Sequence, residues 1–235
     1  RRRIGKTRMI KESLENERYL YLFVSSKTEQ LLCQEYTALI EATFSERPDG
    51  VLNTFREVFA FLIKLARSQQ INLVIDEFQE FNKVNSSIFS DIQNLWDANR
   101  ESIQMNLILS GSVTSLMHRI FENSHEPLFG RVNHRIYVSP LPVSELKNVL
   151  HDRVGAVIPE DLLALYMLTG GVPKYLEEFV DNKAFTKDAL LTEVLATENY
   201  FLDEGRNILT EEFGKASATY FSILSLIAAG RTSRG

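Results

Sequence analysis

Apolar and polar positions along this chain alternate between two periods, and the switches between them divide it into elements. Residues 19–24 (YLYLFV), 71–75 (INLVI) and 105–109 (MNLIL) are short, nearly continuous apolar runs, the pattern of strands buried on both faces. Between the runs, apolar residues recur every three or four positions. Leu32, Tyr36, Ile40 and Phe44 mark a helix within 27–44, and Phe55, Val58, Phe59, Leu62 and Ala66 mark another within 51–68, entered through a turn holding Pro48 and Gly50. Helices are also predicted over 8–16, 86–99 and 113–121, and a fourth strand over 135–138. This alternation predicts an α/β fold with an open parallel sheet and helices on both faces. From residue 143 onward the spacing is helical throughout, with Pro159 near a helix start and a break at Gly170-Gly171-Val172-Pro173. A small all-helical domain is therefore expected to follow the sheet.

Composition narrows the picture only a little. In 235 residues, 44% hydrophobic and 24% charged, there is material for one sizeable core and a smaller one. A formal net charge of -5 argues against a chain whose main surface is a nucleic-acid face, and leaves a local basic patch open. The lone Cys33 has no disulfide or C-x-x-C partner and reads as a small buried apolar residue of an intracellular protein. No apolar run approaches the roughly 20 residues that span a bilayer, and no signal-peptide pattern opens the chain. The expectation is a cytoplasmic protein without a membrane partner. His118, His125, His134 and His151 lack zinc-ligand spacing.

Two short motifs carry the chemistry. Gly5-Lys6-Thr7, preceded by Arg1 to Ile4, matches the tail of G-x-x-x-x-G-K-[ST]. Such a loop wraps phosphates with backbone N–H groups, its lysine neutralises the outer phosphates, and its hydroxyl ligates Mg2+. Ile4, Gly5, Lys6, Thr7 and Arg8 are accordingly the candidate nucleotide-binding residues. The second motif is the strand Leu73-Val74-Ile75 ending in Asp76-Glu77. Asp76, with Thr7, is the candidate Mg2+ holder, and Glu77 is placed to orient and deprotonate an attacking water. Either motif alone has a plainer explanation, a basic helix start or a solvated turn. Found together, with one strand between them, they point to a site for a nucleoside triphosphate and Mg2+.

The runs R-R-R-I-G-K-T, L-V-I-D-E-F-Q, L-I-L-S-G-S, P-L-F-G-R and T-G-G-V-P-K-Y-L stand here in the order and spacing of the archaeal-type ATPase family. That family resembles the STAND class within AAA+ proteins, and the resemblance covers nearly the whole chain. It implies a P-loop NTPase sheet over 1–140, a helical lid over 141–200, and a linker with the start of a winged helix over 201–235. It implies that Ser110 senses the terminal phosphate, that Arg131 acts as an arginine finger with Arg135 as its competitor, and that Pro173 packs near the adenine with Lys174 approaching the phosphates. Plainer readings stand beside these: a Ser-Gly turn, a surface arginine paired with a nearby acid, and a helix break.

A complete loop motif requires a glycine immediately before Arg1 and an apolar strand before that, so native chain is expected beyond the residues given. The function expected is that of an ATP-hydrolysing molecular switch. The alternative is a regulatory module that binds nucleotide and hydrolyses it slowly or not at all. The partners expected are ATP and ADP, with a homo-oligomer, a protein partner, and DNA through a further C-terminal region left open.

Overall fold

The computed structural model describes residues 3–196 and 201–231. Arg1 and Arg2 of the loop motif, the expected boundary at 200/201 and residues 232–235 lie outside the described residues. The chain divides into two compact units, one comprising Lys6–Ile136, the other the described residues from 137 on together with residues 3–5.

In the first unit the chain runs α1 (Lys6–Ser13), β1 (Tyr19–Phe23), α2 (Glu29–Phe44), α3 (Phe55–Ala66) and β2 (Ile71–Asp76). A short 3-10 turn at Phe78–Glu80 leads into α4 (Phe81–Val84), α5 (Ile88–Asn99), β3 (Met105–Leu109) and α6 (Thr114–Glu122). The three strands form a parallel sheet in the order β1-β2-β3. Central β2 is paired on both edges, and all six of its residues are buried.

Strand periodicity of two sends alternate side chains to opposite faces. Leu20, Leu22, Leu73 and Ile75 join the main core with α2, α3 and α5, where Phe55 and Phe81 pack at 4.5 Å between ring centroids. The opposite face carries Tyr19, Tyr21, Val74 and Ile108, covered by Ile10 of α1 and by Leu14 in the turn after it. Helices thus cover both faces, as expected. The start of α3 is set by a capping box, in which Thr54 accepts from the Glu57 amide while the Glu57 carboxylate accepts from the Thr54 amide. Cys33 is completely buried, and that burial raises its thiol pKa to about 12.

One expected element is absent. Residues 135–138 form no strand: no ladder partner lies beside them among the described residues, and Ile136 and Tyr137 are 76% and 63% exposed. An apolar run becomes a strand only when its backbone groups find a partner. β3, paired on one edge, is likewise less covered than β2.

The second unit is helical: α7 (Val143–Val154), α8 (Pro159–Thr169), α9 (Pro173–Asp181), α10 (Lys187–Val194), α11 (Phe201–Phe213) and α12 (Ser217–Ala228). Its core gathers Leu146, Leu150, Leu165, Leu176, Phe179 and Leu190. Gly171, at φ +72°, fills the break before α9, where a Cβ would stand 2.2 Å from the Leu141 carbonyl oxygen. Only glycine fits that approach, which the Leu141 amide seals by donating to the Gly171 carbonyl at 2.7 Å.

Candidate functional site

The site is built where α1 starts and β2 ends. Gly5 takes φ +87° with open space around its Cα, so backbone conformation rather than crowding calls for glycine there. Lys6 then opens α1 and Thr7 follows on its first turn. The Thr7 hydroxyl donates to Asp76 Oδ2 at 3.0 Å, joining residues 69 positions apart. Asp76 is held for this contact by its backbone: it is in register with Phe23, and its carbonyl accepts from the Val24 amide at 3.0 Å. Two further donors converge on the carboxylate, the Tyr21 hydroxyl on Oδ2 and the Glu77 amide on Oδ1 at 3.0 Å.

The charge on Asp76 follows from this arrangement. Burial favours the neutral acid, but the hydrogen bonds from Tyr21, Thr7 and the Glu77 amide, with the Ser110 hydroxyl nearby, outweigh it and hold the carboxyl below its ordinary range. Burial and then the adjacent carboxylate push the Tyr21 phenol well above its usual value, so it serves as a neutral donor.

Glu77 sits at φ 54°, ψ 40°, the left-handed region that costs a non-glycine residue roughly 1–2 kcal/mol. Strain of this kind persists where the surroundings over-determine it, and here they do. Glu77 Oε2 accepts from Ser112 Oγ at 2.6 Å and from Gln79 Nε2 at 2.5 Å, both donors belonging to buried residues. Ser110 extends the β3 ladder, its amide donating to the Ile75 carbonyl and its carbonyl accepting from the Phe78 amide, each at 2.9 Å. The Ser110 hydroxyl is buried near Asp76 yet makes no hydrogen bond of normal geometry, and Gln79 Oε1 is also buried without a partner. A buried hydroxyl such as that of Ser110 can donate to a phosphate oxygen, and a buried amide oxygen such as Gln79 Oε1 can accept from an ordered water.

The remaining expected residues make contacts of their own. Arg131 is committed to Asp97, donating from Nη2 at 2.7 Å and from Nε at 3.0 and 3.1 Å, and to the carbonyls of Pro127 and Phe129 from Nη1. Arg135 pairs with Glu122 at 3.1 Å. Arg8 is exposed and pairs with Glu12 one turn along α1 at 2.8 Å. Ile4 and Pro173 belong to the second unit, Ile4 buried and Pro173 at the first position of α9; Lys174 reaches Glu177 at 2.8 Å. In that unit Arg3 pairs with Glu204 at 2.6 Å and lies over the Tyr175 ring, while the Tyr175 hydroxyl donates to the same carboxylate at 2.6 Å.

Sequence reasoning missed Tyr21, Gln79 and Ser112. Tyr21 could have been found by counting: in YLYLF the tyrosines fall on one face, and parallel pairing puts that face beside Asp76. Gln79 and Ser112 carried no comparable signal.

The donor set suits a small hard cation. Mg2+ takes oxygen ligands and is usually held by one or two carboxylates or hydroxyls together with substrate phosphates. Thr7 Oγ1 and Asp76 offer such oxygens at the end of a loop of the phosphate-binding type.

A parallel sheet covered on both faces, with a G-K-T loop hydrogen-bonded to the acid closing the adjacent strand, defines a P-loop ATPase fold. This chain belongs to the family described as the ATPase domain predominantly from Archaea, whose model matches residues 1–179. An uncharacterised protein of Methanocaldococcus jannaschii, MJECL04, is 27% identical over 235 residues, covering 100% of this chain and 49% of its own length. The chain thus spans about half the length of that relative. Among solved structures, the Walker-type ATPase PABY2304 of Pyrococcus abyssi is similar at a TM-score of 0.66 and 20% identity, over 97% of this chain and 73% of that one. Cdc6p from Pyrobaculum aerophilum gives a weaker likeness, with a TM-score of 0.46 and 18% identity over 90% of this chain and 59% of that one. Among the described residues no helix is long and apolar enough to cross a membrane.

Proposed function

We propose that this chain binds ATP with Mg2+, hydrolyses it, and serves as a nucleotide-dependent switch. The hydrogen bond from Thr7 to Asp76 carries this reading, because it joins the phosphate loop to the acidic strand end in one site. Lys6 and the amides at the start of α1 attract the phosphates. The Thr7 hydroxyl donates a hydrogen bond to Asp76 and keeps its lone pairs for a cation. Bound Mg2+ would neutralise charge on the outer phosphates as the terminal bond breaks. Glu77 takes a proton from the water that attacks the γ-phosphorus, and ADP leaves with the electron pair of the broken bond. Ser110 supplies a buried hydroxyl beside Asp76 for the terminal phosphate or the water. Arg131, which pairs with Asp97 within the chain, would serve this scheme only across a subunit boundary.

The hold of Gln79 and Ser112 on Glu77 favours a second reading, a module that keeps its nucleotide and turns it over slowly. One experiment separates the two. Glu77→Gln should lower the steady-state hydrolysis rate by about 100-fold or more while ATP binding is retained. An unchanged rate would remove Glu77 from catalysis, and a wild-type enzyme limited to slow single turnover with retained nucleotide would favour the module.

A further inference from the structure

We propose that Tyr21 is a positioning residue that fixes the Asp76 carboxylate for the nucleotide-bound cation, and so sets how tightly Mg2+ is held. The proposal rests on the Mg2+-nucleotide reading above and assigns a role to a residue outside the loop and the acid pair. Tyr21 lies in mid-strand on β1, in register with Val74, two residues before the Phe23–Asp76 pair. Its ring therefore stands on the α1-covered face of the sheet, beside Val74 and Ile108. An apolar residue would pack equally well there. Tyrosine adds one hydroxyl, and that hydroxyl is spent on Asp76 Oδ2, the oxygen that also accepts from Thr7 at 3.0 Å.

The consequence lies in the lone pairs. A carboxylate offers about four acceptor positions. Tyr21 and Thr7 take two on Oδ2 and the Glu77 amide takes one on Oδ1, so the group cannot rotate without breaking charge-assisted bonds. The ring is steadied in turn by Lys11, whose Nζ stands 5.3 Å from its centroid. Removing the Tyr21 hydroxyl leaves Asp76 held by Thr7 and the Glu77 amide alone, with one bond fewer resisting its rotation. A cation would then have to order it on binding, and outer contacts of this kind typically govern about 10- to 100-fold in metal affinity.

The test is equilibrium binding of a fluorescent N-methylanthraniloyl ATP to the whole chain, first in EDTA and then titrated with Mg2+. Tyr21→Phe should bind the nucleotide as the wild type does in EDTA, yet need about tenfold more Mg2+ to reach half-maximal tightening. A purely structural role would weaken both measurements together or neither, and either result overturns the proposal. Should Tyr21→Phe fail to fold, the exposed Lys11→Met serves instead, with a smaller shift in the same direction expected and no shift counting against the idea. Asp76→Asn separates the two levels. If the wild type tightens with Mg2+ and Asp76→Asn does not, the cation reading stands and Tyr21→Phe decides the role of Tyr21 alone. A wild type indifferent to Mg2+ takes both readings down.

Discussion

Strand β2 (INLVID) and helix α12 (SATYFSILSLIA) are both rich in apolar residues, and they meet opposite fates. Every residue of β2 is buried, down to its terminal aspartate; in α12 none is, and Leu224 and Ile227 are 53% and 54% exposed. The difference lies in their neighbours. β2 has a strand on each edge and packed side chains on both faces. α12 packs against α11, where Phe213 stacks on Tyr220 at 4.0 Å and Arg206 lies over Phe221 at 4.8 Å. Apolar sequence supplies the tendency to be buried, and the surrounding elements decide whether it is realised. The buried strand can therefore hold a charged carboxylate in a set geometry, since its backbone has no freedom to follow solvent. Among the described residues, α12 has no such neighbours.

Substitutions can break or sharpen this contrast. The largest effect is expected from Leu73→Ala in β2, which removes a wholly buried side chain between helices and should cost about 2–5 kcal/mol in denaturant unfolding. The same truncation at Leu224 in α12 should change stability by no more than about 0.5 kcal/mol. A comparable loss at both positions would mean that α12 is buried after all. Between these extremes, Gly171→Ala should cost about 2 kcal/mol, because the new methyl would press on the Leu141 carbonyl at a positive φ. A neutral result would show the second unit to be loosely packed even at its tightest turn.

The same contrast explains what could be read from the chain alone. The strands at Tyr19–Phe23, Ile71–Asp76 and Met105–Leu109 and the helices between them were legible, because their apolar periods match their partners'. The fourth strand expected at 135–138 was misjudged because pairing is a property of neighbours, and among the described residues Ile136 has no strand beside it. Thr7 and Asp76 were legible as chemistry, each by residue type and by position at an element boundary. The left-handed backbone of Glu77, its hold by Ser112 and Gln79, and the capture of Arg131 by Asp97 depend on contacts across 35, 2 and 34 positions of sequence. No local pattern encodes the two long-range contacts, from Ser112 and to Asp97.

The central claim is that Lys6, Thr7 and Asp76 form one nucleotide site, and binding of ATP measured calorimetrically with Mg2+ present tests it most directly. The wild type should bind, and Lys6→Ala should bind at least about tenfold more weakly, the loss expected when a hydrogen bond to a charged phosphate is removed. Equal affinity in the two proteins, or no binding by a folded wild type, would contradict the assignment.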